Sequence, residues 1–388
     1  MVKCTKYSFT NFFDLMWFYF LLLVFSVLLF NNNKIVKSPT FSIHSTIFAT
    51  TNVAKVSILV VLVYIIVRTF AYDTGADYLV YYNHYKNTAS GRLDIWGEGR
   101  DYFYQQFILF LSAIFSPPQT LFCICSILGV TSLILVSKQY GKAMPWIYLA
   151  WFIFMFNLSM NIYRQYIAMA FLMLALYMWN IKIRKIYIIV VLIIAFLFHK
   201  SALIGILLLL ILYYVAKYRI SKWLLIGLVI VTNIAALTIL RDLLITYGIY
   251  LDLYMDSFGA SYYADTMLDS FYEDSTMGYV NMINAIIVIF YSDKVMNGNK
   301  HLRWLFYILV FNFILEPITR QEILLRMRLY FTNFMIIGYG YCLYSNFRKH
   351  SLAYNFPLII AFLLQFAYYY FYSLQNLINE YPLQFRYG

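Results

Sequence analysis

Arg184-Lys185-Ile-Tyr-Ile-Ile-Val-Val-Leu-Ile-Ile-Ala-Phe-Leu-Phe-His199-Lys200-Ser201-Ala-Leu-Ile-Gly-Ile-Leu-Leu-Leu-Leu-Ile-Leu-Tyr-Tyr-Val-Ala-Lys217 reads as two apolar runs, 186–199 and 202–216, meeting at a short polar corner and bracketed by basic residues. Lipid offers no hydrogen-bond partner to backbone N–H and C=O groups, so an apolar segment that enters it must satisfy its own, as a helix does. Lysine and arginine are retained on the cytoplasmic side of short loops. The stretch is therefore expected to be a helical hairpin with its basic ends inside and His199-Lys200 at the outer surface.

The same pattern recurs outward in both directions. The chain of 388 residues is 63% hydrophobic and 12% charged, about half the charge of an ordinary soluble domain. Further spans are expected near 12–30, 54–71, 119–137, 143–160, 165–181, 223–240, 279–293, 303–318, 328–345 and 355–373. The alternation of a membrane barrel is absent. Tyr102 to Phe115, ending at Ser116-Pro117-Pro118, is short for a span and either crosses or re-enters. The expected fold is all-α: one polytopic bundle of about 12–13 spans over 1–388, with an external loop at 241–278. The first span has basic flanks in Lys3 and Lys6 but no small-residue cleavage site, which suits a retained anchor.

Charge then sets the sides. Lys138 and Lys142, Lys182 to Lys185, Lys217 to Lys222, Lys294 to Arg303, and Arg348 with Lys349 mark cytoplasmic connectors. Asn161 to Gln165, His199-Lys200, 241–278 and Thr319 to Arg328 then share the outer side. The side of the 72–101 loop depends on whether 102–115 crosses. The net charge of +12 is dispersed among connectors and forms no patch for nucleic acid. Cys4, Cys123, Cys125 and Cys342 show neither metal nor disulfide spacing.

The outer face carries the chemistry. Arg164 and Gln165 open a helix, where the first N–H groups favour an anion and an arginine can grip a phosphate with two parallel bonds; the plainer alternative is an interfacial arginine reaching for headgroups. His199 is the histidine in a setting suited to taking a proton from a sugar hydroxyl, with helix-end hydrogen bonding as the alternative. Arg320, Arg326 and Arg328 gather around one helix start with Glu316 and Glu322 nearby, as an anion site or as an ion-pair network. The 241–278 loop carries seven acidic residues against one arginine, with six tyrosines, a composition that suits sugar rings or merely a solvated cover.

Four stretches in order carry a resemblance to the EpsG-like branch of the Wzy polysaccharide polymerases. They are Arg68-Thr-Phe-Ala-Tyr-Asp73-Thr-Gly75-Ala-Asp77-Tyr78, Glu98-Gly-Arg-Asp-Tyr-Phe, Tyr163-Arg164-Gln165-Tyr-Ile-Ala168, and His199-Lys200-Ser201-Ala202-Leu203-Ile204; Arg326-Met-Arg328-Leu-Tyr330-Phe331 is a weaker fifth. Glu98-Gly99-Arg100 departs from the family's usual Glu-Pro-Gly.

The resemblance implies a GT-C-like membrane glycosyltransferase, multi-pass in the bacterial cytoplasmic (inner) membrane. It would move a growing O-antigen, capsule or exopolysaccharide chain from undecaprenyl diphosphate to a fresh lipid-linked repeat unit, with no metal or other cofactor. It implies catalytic roles for His199, Asp77 and Arg164. Arg68, Tyr78, Gln165, Lys200, Arg320, Arg326 and Arg328 would bind substrate or diphosphate. Partners would be the lipid-linked oligosaccharide, the bilayer, and a flippase and chain-length regulator of the same pathway, with no nucleic acid. The resemblance favours an external 72–101 loop, which would bring Asp77 and Tyr78 to the other motifs. A flippase or other transporter would instead line a path through the membrane with cations, and an O-antigen ligase would share the chemistry but use another acceptor.

Overall fold

Local chemistry sets the helix ends. The computed structural model describes residues 62, 64–66, 68–72, 78–92, 102–159, 162–237, 277–317, 322–348, 351–368 and 384–385. Its helices are α1 Tyr78–Ala89, α2 Tyr102–Ile114, α3 Gln119–Lys138, α4 Met144–Phe154, α5 Phe156–Ser159, α6 Tyr163–Asn180 and α7 Lys185–Phe198. They continue with α8 Ala202–Val215, α9 Lys222–Leu237, α10 Met277–Phe290, α11 Asp293–Met296, α12 Lys300–Leu315, α13 Glu322–Phe347 and α14 Leu352–Tyr368. The described strands are one two-residue antiparallel pair, β1 Ala71–Tyr72 and β2 Gln384–Phe385, with Ala71 opposite Phe385.

α1 closes at Gly91, whose φ of +75° a glycine adopts freely, while Arg92 N–H reaches back to Asn87 O at 2.9 Å. α6 ends the same way around Lys182, with φ 59° and Ile183 N–H on Met178 O at 3.0 Å. Asn299 caps α12 by accepting from Leu302 N–H, and Pro145 sits in the first turn of α4, where its missing N–H loses nothing.

The spans expected from 119–137 to 355–373 each coincide with a helix over most of their length, with some differences, and the last is described as helix to Tyr368. The expected 143–160 span breaks at Met155 into α4 and α5. The 328–345 span is the core of a longer helix that begins at Glu322. The 223–240 span is described as helix to Leu237. Within the expected 72–101 loop lies a helix, α1, which its polar composition conceals. The 12–30 span lies outside the described residues, as do 241–276 of the external loop. α3 is the described helix long and apolar enough to cross a membrane, and α2, α7, α8 and parts of α9, α10 and α14 are shorter apolar helices.

The chain packs as two compact units. One comprises residues 1–131, 157–163 and 374–388, and its described core is aromatic, with Tyr78, Tyr85, Tyr104 and Phe122 almost fully buried. The other comprises residues 132–156 and 164–373 and is organised around α13, which packs against α4, α8, α11, α12 and α14. Two glycines permit that density. A Cβ on Gly338 would stand 2.6 Å from Leu305 O of α12, and one on Gly340 would stand 2.5 Å from Ile147 N of α4. Small residues let helix backbones approach to the distance where dispersion accumulates. On the outward faces, Ile193, Leu207 and Val231 are each about half or more exposed, at 51%, 52% and 62%.

Candidate functional site

Ser201 stands at the N-cap of α8, where a serine hydroxyl ordinarily accepts from the first N–H groups of the helix. Here it makes no capping bond. Its Oγ lies instead 2.6 Å from His199 Nδ1, and the Tyr330 hydroxyl of α13 lies 3.1 Å from the same nitrogen and 3.2 Å from Ser201 Oγ. Three polar atoms thus close a triangle at the α7–α8 corner. His199 ends α7 in an extended conformation, φ −154° and ψ 112°, which turns the chain sharply into α8. Tyr330 is fully buried, and its ring lies against Gly205, where a Cβ would meet Tyr330 Cγ at 2.8 Å. Lys200, beside the triangle in sequence, is exposed.

A second polar group forms where α12 ends and α13 begins. Arg328 Nη1 is 3.7 Å from Glu316 Oε1, with both side chains mostly buried, and Asn281 of α10 donates its amide to the same carboxylate oxygen. Arg328 Nε is buried with no hydrogen-bond partner among the described residues. One turn on, Thr332 donates to Asn312 Oδ1 at 2.9 Å. Two residues along a helix are offset by about 200° and 3 Å. Arg328 and Tyr330 therefore send their side chains to different neighbours from nearly one level, and the start of α13 holds both groups at the same end of this unit.

The opposite end is basic and tied together by its connectors. Arg303 donates to Ala216 O and Gly298 O, Lys222 pairs with Asp293 at 2.7 Å, and Lys294 donates to Ser345 O. Tyr307 bridges the 218–220 turn by donating to Tyr218 O and accepting from Ile220 N–H. Tyr140 is hydrogen bonded to His301 Nε2 at 2.8 Å. Burial draws the His301 imidazole from 6.5 down to about 4 and pushes the Tyr140 hydroxyl up.

The other unit has its own buried cation. Arg68 is 1% exposed, donates to the Tyr64 hydroxyl at 3.0 Å, and lies over the Tyr163 ring, 5.0 Å from its centroid. Tyr64 is in turn hydrogen bonded to Ser159 Oγ at 2.9 Å. Tyr78, expected at a substrate surface, is buried and stacks on Phe122 at 4.6 Å, and Tyr81 meets Tyr163 edge-on at 5.2 Å. Such an aromatic cage holds a guanidinium rigidly.

Among the remaining expected residues, Arg164 is half-buried and Gln165 is buried in the first turn of α6. Asp77, Glu98 and Arg320 lie outside the described residues. Arg326 lies on α13, but its side chain is outside them. The sequence had singled out neither Ser201 nor Tyr330 for a role, although both lie within its quoted motifs. What joins them is a contact across 129 residues, which no local spacing announces.

The described residues are almost entirely helical, and the larger unit carries basic connectors at one end and the histidine–hydroxyl triangle at the other. The chain belongs to the EpsG family, whose family model matches residues 54–385, and which is a Wzy-like polymerase family of polysaccharide biosynthesis. No curated protein and no solved structure gives a significant match to the chain.

Proposed function

We propose that this protein is a polytopic membrane glycosyltransferase that polymerises lipid-linked oligosaccharide repeats at the outer face of the cytoplasmic membrane. The observation that carries this is the placement, at the end of one unit opposite its basic connectors, of His199 held by Ser201 and Tyr330 together with the Arg328–Glu316 pair. Positive connectors stay cytoplasmic, which puts that end outside. The exposed faces of α7, α8 and α9 then meet lipid tails in place of water.

The reaction breaks the bond between an anomeric carbon and a lipid diphosphate and forms one to an acceptor hydroxyl. Charge develops on the departing diphosphate, and buried or half-buried arginines such as Arg328 and Arg164 suit its neutralisation in a site that excludes water. The donor is an undecaprenyl-diphosphate-linked glycan and the acceptor a lipid-linked repeat unit. Deleting the gene and resolving surface glycan by length tests this. Single repeats on the final acceptor are expected. Loss of all external glycan would indicate a flippase, and full-length glycan stranded on its carrier lipid would indicate a ligase.

A further inference from the structure

The basic end of the larger unit sorts its cations into two kinds. The connectors 182–185, 217–222 and 294–303 hold nine lysines and arginines and no acidic residue. Arg303, Lys294 and Lys222 brace the fold by donating to backbone carbonyls, and Lys222 also pairs with Asp293. Lys182, Arg184, Lys185, Lys217 and Arg219 are exposed, and none of the five forms a salt bridge among the described residues. Retention on the cytoplasmic side accounts for the presence of such charges. It does not account for how the α8–α9 turn holds two of them. Arg303 donates to Ala216 O at 3.2 Å, and Tyr307 donates to Tyr218 O at 2.9 Å and accepts from Ile220 N–H at 3.0 Å, so the backbone of the turn is fixed. Lys217 Nζ lies 3.7 Å from the centroid of the Tyr214 ring, a contact that steadies the ammonium without neutralising it.

The exposed residues around this turn follow an order. Along α8 they run Leu210, Ile211, Tyr214, Lys217, and from Arg219 they return through Trp223 to Leu224 and Leu228 of α9. Tyr214, Tyr218 and Trp223 are 63%, 67% and 72% exposed, which would be costly for rings standing in water. Cation, amphipathic ring and aliphatic side chain is the order of headgroup, interface and acyl tail. We propose that the α8–α9 turn binds an anionic phospholipid of the leaflet it faces, with Lys217 and Arg219 taking the phosphate and the acyl chains lying on the exposed faces of α8 and α9. Basic segments flanking membrane helices attract anionic headgroups in this way, and here the turn is ordered before the lipid arrives. A free phosphate shares the headgroup chemistry but leaves the rings and the apolar faces without a role. The proposal rests on the membrane placement in the reading above and not on the polymerase reaction.

The test uses full-length protein in a neutral detergent, incubated with equal amounts of dioleoyl phosphatidylglycerol and dioleoyl phosphatidylcholine. Bound lipid is separated by gel filtration and quantified by mass spectrometry. The two lipids share their chains and differ in headgroup charge. Each lysine or arginine near an anionic lipid surface is worth about fivefold in attraction, so wild type should retain phosphatidylglycerol over phosphatidylcholine by about tenfold or more. Lys217→Gln combined with Arg219→Gln should remove most of that preference, and high salt should weaken it in the wild type. Both positions are exposed, so the double variant should elute as the wild type does. Equal retention of the two lipids by the wild type overturns the proposal. An undiminished preference in the double variant overturns it too, because the charge is then read elsewhere. So does displacement of the lipid by a large excess of inorganic phosphate at constant ionic strength, which would make the turn a site for soluble anions. A protein that holds phosphatidylglycerol through this turn yet extends no glycan would uphold the lipid site and refute the polymerase reading; indifference to headgroup with normal glycan ladders would do the reverse.

Discussion

Arg328 and His301 show how burial at two ends of one unit serves different purposes. Arg328 Nη1 is within ion-pair distance of Glu316 at 3.7 Å, too long for a tight two-pronged bond, and its buried Nε has no partner among the described residues. A guanidinium so placed has donors to spare for an anion. Arg328→Ala should abolish glycan extension at normal membrane level, and Arg328→Lys should restore only part, because an ammonium lacks the planar fork; wild-type ladders from the alanine variant would assign the residue to structure alone. His301 is the contrary case, a neutral imidazole holding Tyr140. Its folded value of about 4 lies below the ordinary 6.5, so the unfolded chain takes the proton first. Its contribution to stability is therefore full above 6.5 and lost as pH falls toward 4. The His301 signal should keep its neutral-form shift at pH 5.5, and a midpoint near 6.5 would mean that the ring is solvated.

α13 is the element on which the larger unit depends, and its glycines are its weakest points. The Cβ of an alanine at position 340 would fall 2.5 Å from a backbone nitrogen of α4, which cannot rotate away as a side chain can. Gly340→Ala should therefore destabilise the protein by about 1–3 kcal/mol, read as a lower midpoint for thermal aggregation in detergent, while Gly227→Ala, which meets nothing within 4 Å inside α9, should leave the midpoint unchanged or raise it. An unchanged midpoint for Gly340→Ala would show that α4 and α13 separate easily. Gly205 belongs to the same class, since its missing Cβ is what lets Tyr330 reach His199. How far such elements were legible follows from their punctuation. Lys182 to Lys185, Lys217 to Lys222 and Pro145 bound helices whose interiors are plainly apolar, so α7, α8 and α9 could be read to within a few residues. α1 could not, because Tyr78-Leu-Val-Tyr-Tyr-Asn-His-Tyr-Lys mixes polar and aromatic residues without a run that lipid would demand. The break at Met155 arises within an uninterrupted apolar stretch, so nothing in composition marks it. His199 was legible as an outlier in an apolar hairpin. Tyr330, one of 39 tyrosines, acquires meaning only from the α8–α13 packing that buries it.

For a chain that spans the membrane as proposed, the orientation of the larger unit decides on which side its site lies. In the larger unit, α7 runs from Lys185 to the His199 corner and α8 returns from Ser201 toward Lys217, so the two ends of this hairpin differ in charge as well as in position. The connectors 182–185, 217–222 and 294–303 carry lysines and arginines; hydrogen bonds from Arg303 to Ala216 O and from Tyr307 to Tyr218 O join the last two directly. Translocating that basic end would work against the retention that keeps such charges inside, whereas the opposite corner offers a single exposed lysine, Lys200. Single cysteines placed in a variant whose four native cysteines have been removed can settle the matter. Lys200→Cys should react with a membrane-impermeant maleimide in spheroplasts, and Arg184→Cys and Arg219→Cys, all at exposed positions, should react only after the membrane is opened. Labelling of Arg184→Cys in sealed spheroplasts would invert the hairpin, place His199 and Arg328 on the cytoplasmic side, and leave an enzyme of the outer face without its site.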